Sequence, residues 1–173
     1  MPQPAPENLE MAFLGLGANL GEPAATLAAA RDLLAALPQS RLVAASALYR
    51  TAPVGGPAGQ PDFFNVVLAL ATTLEPTVLL EHSLAIEERF GRRRLQRWGP
   101  RTLDIDLLLQ GERLLDVPAL QLPHPRLHRR RFVLEPLCEL AAELLHPRLG
   151  VPFRQLLAKL PGDDRVERLN QRW

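Results

Sequence analysis

Apolar and polar positions alternate along this chain in short runs of two distinct periods. Met11–Gly17 is a compact apolar run closed by glycine, and it predicts a buried strand beginning at Met11. Pro23 sets a helix start, and the Ala- and Leu-rich stretch Ala24–Leu37 predicts a helix stopped by Pro38. Arg41–Tyr49 predicts a second strand, Phe63–Thr73 a third and Thr102–Leu109 a fourth, with a second helix over Pro76–Phe90. After a Pro-rich connection, Phe132–Leu145 and Phe153–Leu160 read as further helices. Thr51–Pro61, dense in Gly and Pro, and Gly91–Arg101 read as long loops of the kind that carry function. The order β-α-β-β-α-β, then helices, is the α+β ferredoxin-like pattern: an antiparallel sheet with helices packed on one face.

Composition narrows the class. Of 173 residues, 47% are hydrophobic, enough for one domain with a real core, and collagen, disordered and disulfide-scaffold classes are excluded. Residues 1–10 are polar and Pro-rich and read as a flexible extension; residues 11–173 form a single domain. The N-terminus lacks the basic and apolar regions of a signal peptide, and the longest apolar run, Val66–Ala71, falls short of a membrane span. The expectation is a cytoplasmic protein with no membrane partner. The single cysteine, Cys138, is expected in the core.

The net charge of +1 conceals an asymmetry. Residues 89–131 hold eleven Arg against Asp104, Asp106, Glu112 and Asp116, a balance of +7, and the rest of the chain balances to −6. Two acids inside this basic band carry the chemistry. In a strand, Asp104 and Asp106 share one face, roughly 7 Å apart at Cα, while Leu103, Ile105, Leu107 and Leu109 share the other. Paired carboxylates need positive charge, and Mg²⁺ is typically held by one or two carboxylates plus substrate phosphates. Directly upstream, Arg92, Arg93, Arg94, Arg97 and Arg101 surround Trp98-Gly99-Pro100. Arginine suits bidentate phosphate recognition, so an acid pair beside an Arg loop is a phosphoryl-transfer layout.

The common nucleotide cradles are missing. There is no P-loop motif, and Gly15-Leu-Gly-Ala-Asn-Leu-Gly21 misplaces its third glycine for a dinucleotide fingerprint. It reads instead as a strand ending in a turn, with Asn19 and Gly21 allowing positive φ. Phe63 and Asn65 point the same way in strand alternation, an aromatic face beside an amide, which suits a flat heterocycle. His124, in Leu-Pro-His-Pro-Arg, reads as a polar ligand contact; His124 and His128 lack the partners of a zinc site. An RNA-binding module on such a sheet would need an RNP-type aromatic motif, which the sequence does not contain, so no nucleic-acid partner is expected.

Six blocks in order, Phe13–Gly21, Tyr49-Arg-Thr-Ala-Pro53, Gln60-Pro-Asp-Phe-Phe-Asn65, Arg97-Trp-Gly-Pro-Arg-Thr-Leu-Asp-Ile-Asp106, Leu122-Pro-His-Pro-Arg126 and Phe132-Val-Leu-Glu-Pro-Leu137, resemble the 6-hydroxymethyl-7,8-dihydropterin pyrophosphokinases of folate biosynthesis. The resemblance covers residues 11–160 or so. It implies pyrophosphate transfer from ATP to the hydroxymethyl pterin, release of AMP, two Mg²⁺ and a monomer that binds these small molecules. It implies Asp104 and Asp106 as metal ligands and Arg92 and Arg101 as the arginines that assist transfer. Glu87, Arg94, Trp98, Leu107, His124 and Arg130 would serve ATP. Thr51, Pro53, Val54 and Asn65 would read the pterin edge, and Phe63 and Phe132 would sandwich its ring. Phe63 stands where well-known members carry Tyr, Pro125 stands where others have Tyr, and the Arg loop is one residue shorter.

Overall fold

In the computed structural model, which describes residues 8–91, 102–162 and 164–173, a six-stranded antiparallel sheet organises the chain. The elements run β1 (Glu10–Ala18), α1 (Pro23–Ala35), β2 (Ser40–Ala45), β3 (Tyr49–Thr51), β4 (Phe63–Thr72), α2 (Pro76–Arg89) and β5 (Asp104–Gln110). They continue through β6 (Leu115–Val117), β7 (Leu120–Leu122), α3 (Arg131–Ala141), α4 (Phe153–Ala158) and β8 (Val166–Arg168). The sheet order is β5-β1-β4-β3-β8, with β2 also paired to β4. Both Pro23 and Pro76 open their helices, where a missing N–H costs nothing.

Alternation along the two central strands sorts their side chains into two cores. Ala12, Leu14, Leu16 and Ala18 of β1 and Val66, Leu68 and Leu70 of β4 join Leu27 and Leu34 of α1 and Leu79 and Ile86 of α2. From the opposite face, Phe13, Val67 and Ala69 join Val133, Leu134 and Leu137 of α3 and Phe153 and Leu156 of α4. Helices therefore cover both faces of the sheet, not one. The C-terminal helices are the second layer, because a sheet apolar on both faces must be covered twice.

Several boundaries differ from the sequence reading, each for a local reason. The strand begins at Glu10, inside the expected extension, where the carboxylate receives Gln110 Nε2 at 3.1 Å and Arg113 Nε at 2.8 Å. The strand expected over Arg41–Tyr49 splits at Ser46, whose hydroxyl accepts the Val67 N–H at 2.9 Å and bends the chain. Helix α3 stops at Ala141 rather than Leu145, and Leu145 instead bridges to Pro152. Residues 115–122 form a small hairpin, and β8 adds a strand to the edge beside β3; both are three-residue strands too short to show a period. Leu109 does not share a face with Leu103, Ile105 and Leu107. The β1–β5 register shifts between Phe13 and Leu14, and the bulge places Leu108 and Leu109 together under α3. Cys138 sits in α3, half-buried against that second core, where burial pushes its thiol up to about 11. Among the described residues no helix is long and apolar enough to cross a membrane.

Candidate active site

The layer formed by α3 and α4 covers only part of its sheet face. Where it ends, the ends of β1, β4 and β5 line a cavity of about 370 Å³. Strand β1 contributes Gly15 and Gly17, the positions that follow Phe13 on the same face. Their bare backbone has a use. A Cβ on Gly17 would lie 2.7 Å from Asn65 Oδ1, so the neighbouring amide occupies the space a side chain would take. Asn65 is itself buried, and its Nδ2 donates to Thr51 Oγ1 at 2.8 Å. That bond engages one of the amide's two N–H donors and fixes the amide with Oδ1 against Gly17, a cavity-lining residue. Phe63 from β4 and Phe132 from the first turn of α3 line the same cavity.

Asp104 and Asp106 enter from β5, on the face opposite the buried Ile105 and Leu107. The strand start is held by Glu87, which is 1% exposed and accepts the Ile105 N–H at 2.7 Å. Its carboxylate thus grips the backbone between the two aspartates. Arg126, Arg129 and Arg130 line the cavity from the connection between β7 and α3. The Arg130 guanidinium lies 5.5 Å from the centre of the Phe132 ring, close enough for cation–π attraction. His124 is fixed in the same connection. Its N–H donates to Leu108 O at 2.7 Å, and its Nδ1 accepts the Arg126 N–H at 3.1 Å. Burial, then the charges of Arg130 and Arg126, push the imidazole down to about 4, so it is neutral with its proton on Nε2.

The structure brings together eight of the twelve candidate site residues that it describes. Thr51, Val54, Phe63, Asn65, Asp104, Asp106, Arg130 and Phe132 line one cavity. Pro53 lies between two lining residues, Ala52 and Val54. Leu107 does not reach it with its side chain, which is buried in the core beneath α1 and α2. Glu87 is a buried backbone clamp and does not line the cavity, and His124 stands beside it in the arginine-bearing connection. Arg92, Arg94, Trp98 and Arg101 lie outside the described residues. Asn19 does not take positive φ, although Gly21 does. Asn19 is buried instead, and its amide donates to Gln60 Oε1 at 3.2 Å and Pro61 O at 3.1 Å, pinning the end of the long loop. Sequence reasoning missed Gly15, Gly17, Arg126, Arg129 and Asp164 as lining residues. The pattern Phe13-x-Gly15-x-Gly17, which strips the side chains from one strand face, was the available signal for the glycines.

Comparison with known proteins agrees over most of the chain. The sequence model of the family described as 7,8-dihydro-6-hydroxymethylpterin-pyrophosphokinase (HPPK) matches residues 13–142. A Pseudomonas aeruginosa protein named 2-amino-4-hydroxy-6-hydroxymethyldihydropteridine pyrophosphokinase is 48% identical over 161 residues, 93% of this chain and 98% of that one. The Haemophilus influenzae protein of the same name is 39% identical over 159 residues, 92% of this chain and 98% of its own length. Among solved structures, a Plasmodium falciparum HPPK-DHPS triple mutant with STZ-DHP aligns at a TM-score of 0.70 and 15% identity, over 88% of this chain. The wild-type P. falciparum HPPK-DHPS with pterin and p-hydroxybenzoate aligns at 0.68 and 16% identity, again over 88% of this chain. At that identity the likeness is one of fold, and this chain spans 43% of the length of those two chains.

Proposed function

The chain belongs to the 7,8-dihydro-6-hydroxymethylpterin-pyrophosphokinase family, and from that premise we propose that it transfers pyrophosphate from ATP to 6-hydroxymethyl-7,8-dihydropterin in folate biosynthesis, releasing AMP. The observation that carries this reading is a juxtaposition. One cavity holds an aromatic and amide face, Phe63, Phe132 and Asn65, together with a carboxylate pair and three arginines. A flat heterocycle fits the first set and a polyphosphate the second.

Asn65 Oδ1 accepts an N–H from the pterin edge, while Thr51 holds the amide so that the acceptor faces the cavity. Phe63 and Phe132 stack on the ring. Phe63 lacks the hydroxyl of the Tyr expected in other members, so stacking alone is its contribution. Arg130, with Arg126 and Arg129, meets the phosphates, and neutral His124 offers its Nε2–H. Leu107 serves the nucleotide through its backbone. Ile105 turns its N–H away from β1 to reach Glu87, and strand parity points Leu107 N–H to the same edge. Arg92 and Arg101 assist transfer, with Arg94 and Trp98 on the ATP side.

The donor set fits the two Mg²⁺ implied by the resemblance. Asp104 and Asp106 offer hard oxygens on one strand face, and among the described residues no third His, Cys, Asp or Glu completes a protein cage. That is the donor set Mg²⁺ accepts when phosphates and water supply the rest of its shell. The cations, when bound, neutralise phosphate charge and lower the pKa of the attacking hydroxyl. Glu87 fixes the backbone that presents the carboxylates, and the arginines hold the phosphates against them. In fold terms this reading is of a ferredoxin-like chain, a single domain that begins with β1 at Glu10 instead of residue 11, acting as a cytoplasmic monomer.

Incubation with ATP, Mg²⁺ and the hydroxymethyl pterin tests the reading. AMP and a pyrophosphorylated pterin should appear in equal amounts and only when all three components are present. ADP in place of AMP would overturn it.

A further inference from the structure

The C-terminal residues 164–173 belong to no motif singled out in the sequence, yet they meet the site. Strand β8 pairs antiparallel with β3, setting Val166 opposite Thr51, the residue that orients Asn65. The segment is well anchored. Arg168 reaches Glu139 of α3 at 3.0 Å, Glu167 pairs with Arg50 at 2.5 Å, and Trp173 Nε1 donates to Ser46 O at 3.0 Å. From this fixed base Arg165 contacts both ends of the long loop between β3 and β4. Its carbonyl accepts the N–H of Ala52, the first loop residue, at 3.2 Å. Its guanidinium meets Asp62, the last, at 2.6 Å. The next residue back, Asp164, lines the cavity together with Thr51, Ala52 and Val54.

Resting on the function proposed above, we infer that Arg165 is a positioning residue for the heterocycle: it holds both ends of the Ala52–Asp62 loop and so sets where the pterin edge is read. The loop carries Val54 at the cavity and leads directly into Phe63. A bound heterocycle feels its position, whereas the phosphates, met by β5 and the β7–α3 connection, do not. Fold stability should hardly notice, because the Arg165 and Asp62 side chains are 63% and 28% exposed and such pairs add little. The signature is thus a change in one substrate's KM.

The test compares wild type, Arg165→Ala, Asp62→Asn and the charge swap Asp62→Arg with Arg165→Asp, in steady-state AMP release with each substrate varied, alongside thermal melts. Each single variant should raise the pterin KM about three- to fivefold, leave kcat and the ATP KM within about twofold, and melt like wild type. The swap should recover most of the loss. Asp62→Asn attacks the pair from the other side and keeps the test open if Arg165→Ala melts early. An unmoved pterin KM, equal rises in both KM values or no recovery in the swap overturns the inference while leaving the catalytic reading intact. Inactive wild type overturns that reading, and the inference with it.

Discussion

The two ends of the cavity are built by opposite methods. At the end proposed to take the heterocycle, Gly17 and Asn65 stand on the two central strands of the sheet, and Thr51 is paired directly to Phe63 across β3 and β4. The determinant there is a buried hydrogen bond in a space with no slack. At the end proposed to take the phosphates, Asp104 and Asp106 stand on the outermost strand β5, and two of the three arginines are solvent-exposed. Charge works there by number and proximity, and water and salt moderate it. Recognition of shape sits in the middle of the fold, where packing makes geometry reproducible. Management of charge sits at its rim, where a variable set of ligand atoms can be met.

The contrast makes graded predictions. Asp106→Ala should lower kcat by about a thousandfold or more, since it removes a carboxylate that would hold the cation neutralising the transferring group, while the pterin dissociation constant measured by titration changes little. Loss of pterin affinity with near-normal kcat would collapse the distinction between the ends. Gly17→Ala should do the reverse. The added methyl must displace the Asn65 amide, so pterin affinity should fall about ten- to a hundredfold with ATP affinity retained. Glu87→Ala tests the link between interior and rim. It strips the acceptor from the buried Ile105 N–H, and should cost about 1–3 kcal/mol in denaturant unfolding while reducing kcat through misplaced aspartates. A stable, fully active variant would show that β5 needs no such clamp.

The mildest effect concerns pH. His124, His128 and His146 are all shifted downwards, chiefly by burial, so the unfolded chain binds protons on them that the folded chain refuses. Stability should be full above the ordinary histidine range and fall as pH drops from about 6.5 towards 4. A melting temperature several degrees lower at pH 5 than at pH 7.5 is expected, and His124→Asn should flatten the slope.

The sequence exposed one pair of residues at each end of the cavity. Alternation alone put Asp104 and Asp106 on one face and Phe63 beside Asn65, and all four line the cavity. What stayed hidden depended on partners distant in the chain. The resemblance put Glu87 on the ATP side, but nothing in the sequence showed that it also accepts a backbone N–H eighteen residues away. Nothing in β8 marks it as a strand, since three residues flanked by charges acquire meaning only against β3. The second helical layer escaped notice for a related reason: Val67 and Ala69 are as apolar as Val66 and Leu68, and an unbroken apolar run names no preferred face.

The bulge at Leu108 is a phase shift in β5. Ahead of it, Asp104 and Asp106 take the cavity side. Behind it, Leu109 takes that same side beneath α3, and Gln110 crosses to the other, where its amide finds Leu74 O at 2.8 Å. Strict alternation would instead drive Gln110 into a dry layer of leucine and phenylalanine. One supernumerary residue lets a single strand serve a wet environment and a dry one in succession. Deleting it would force the strand to surrender either the acid pair or the layer beneath α3.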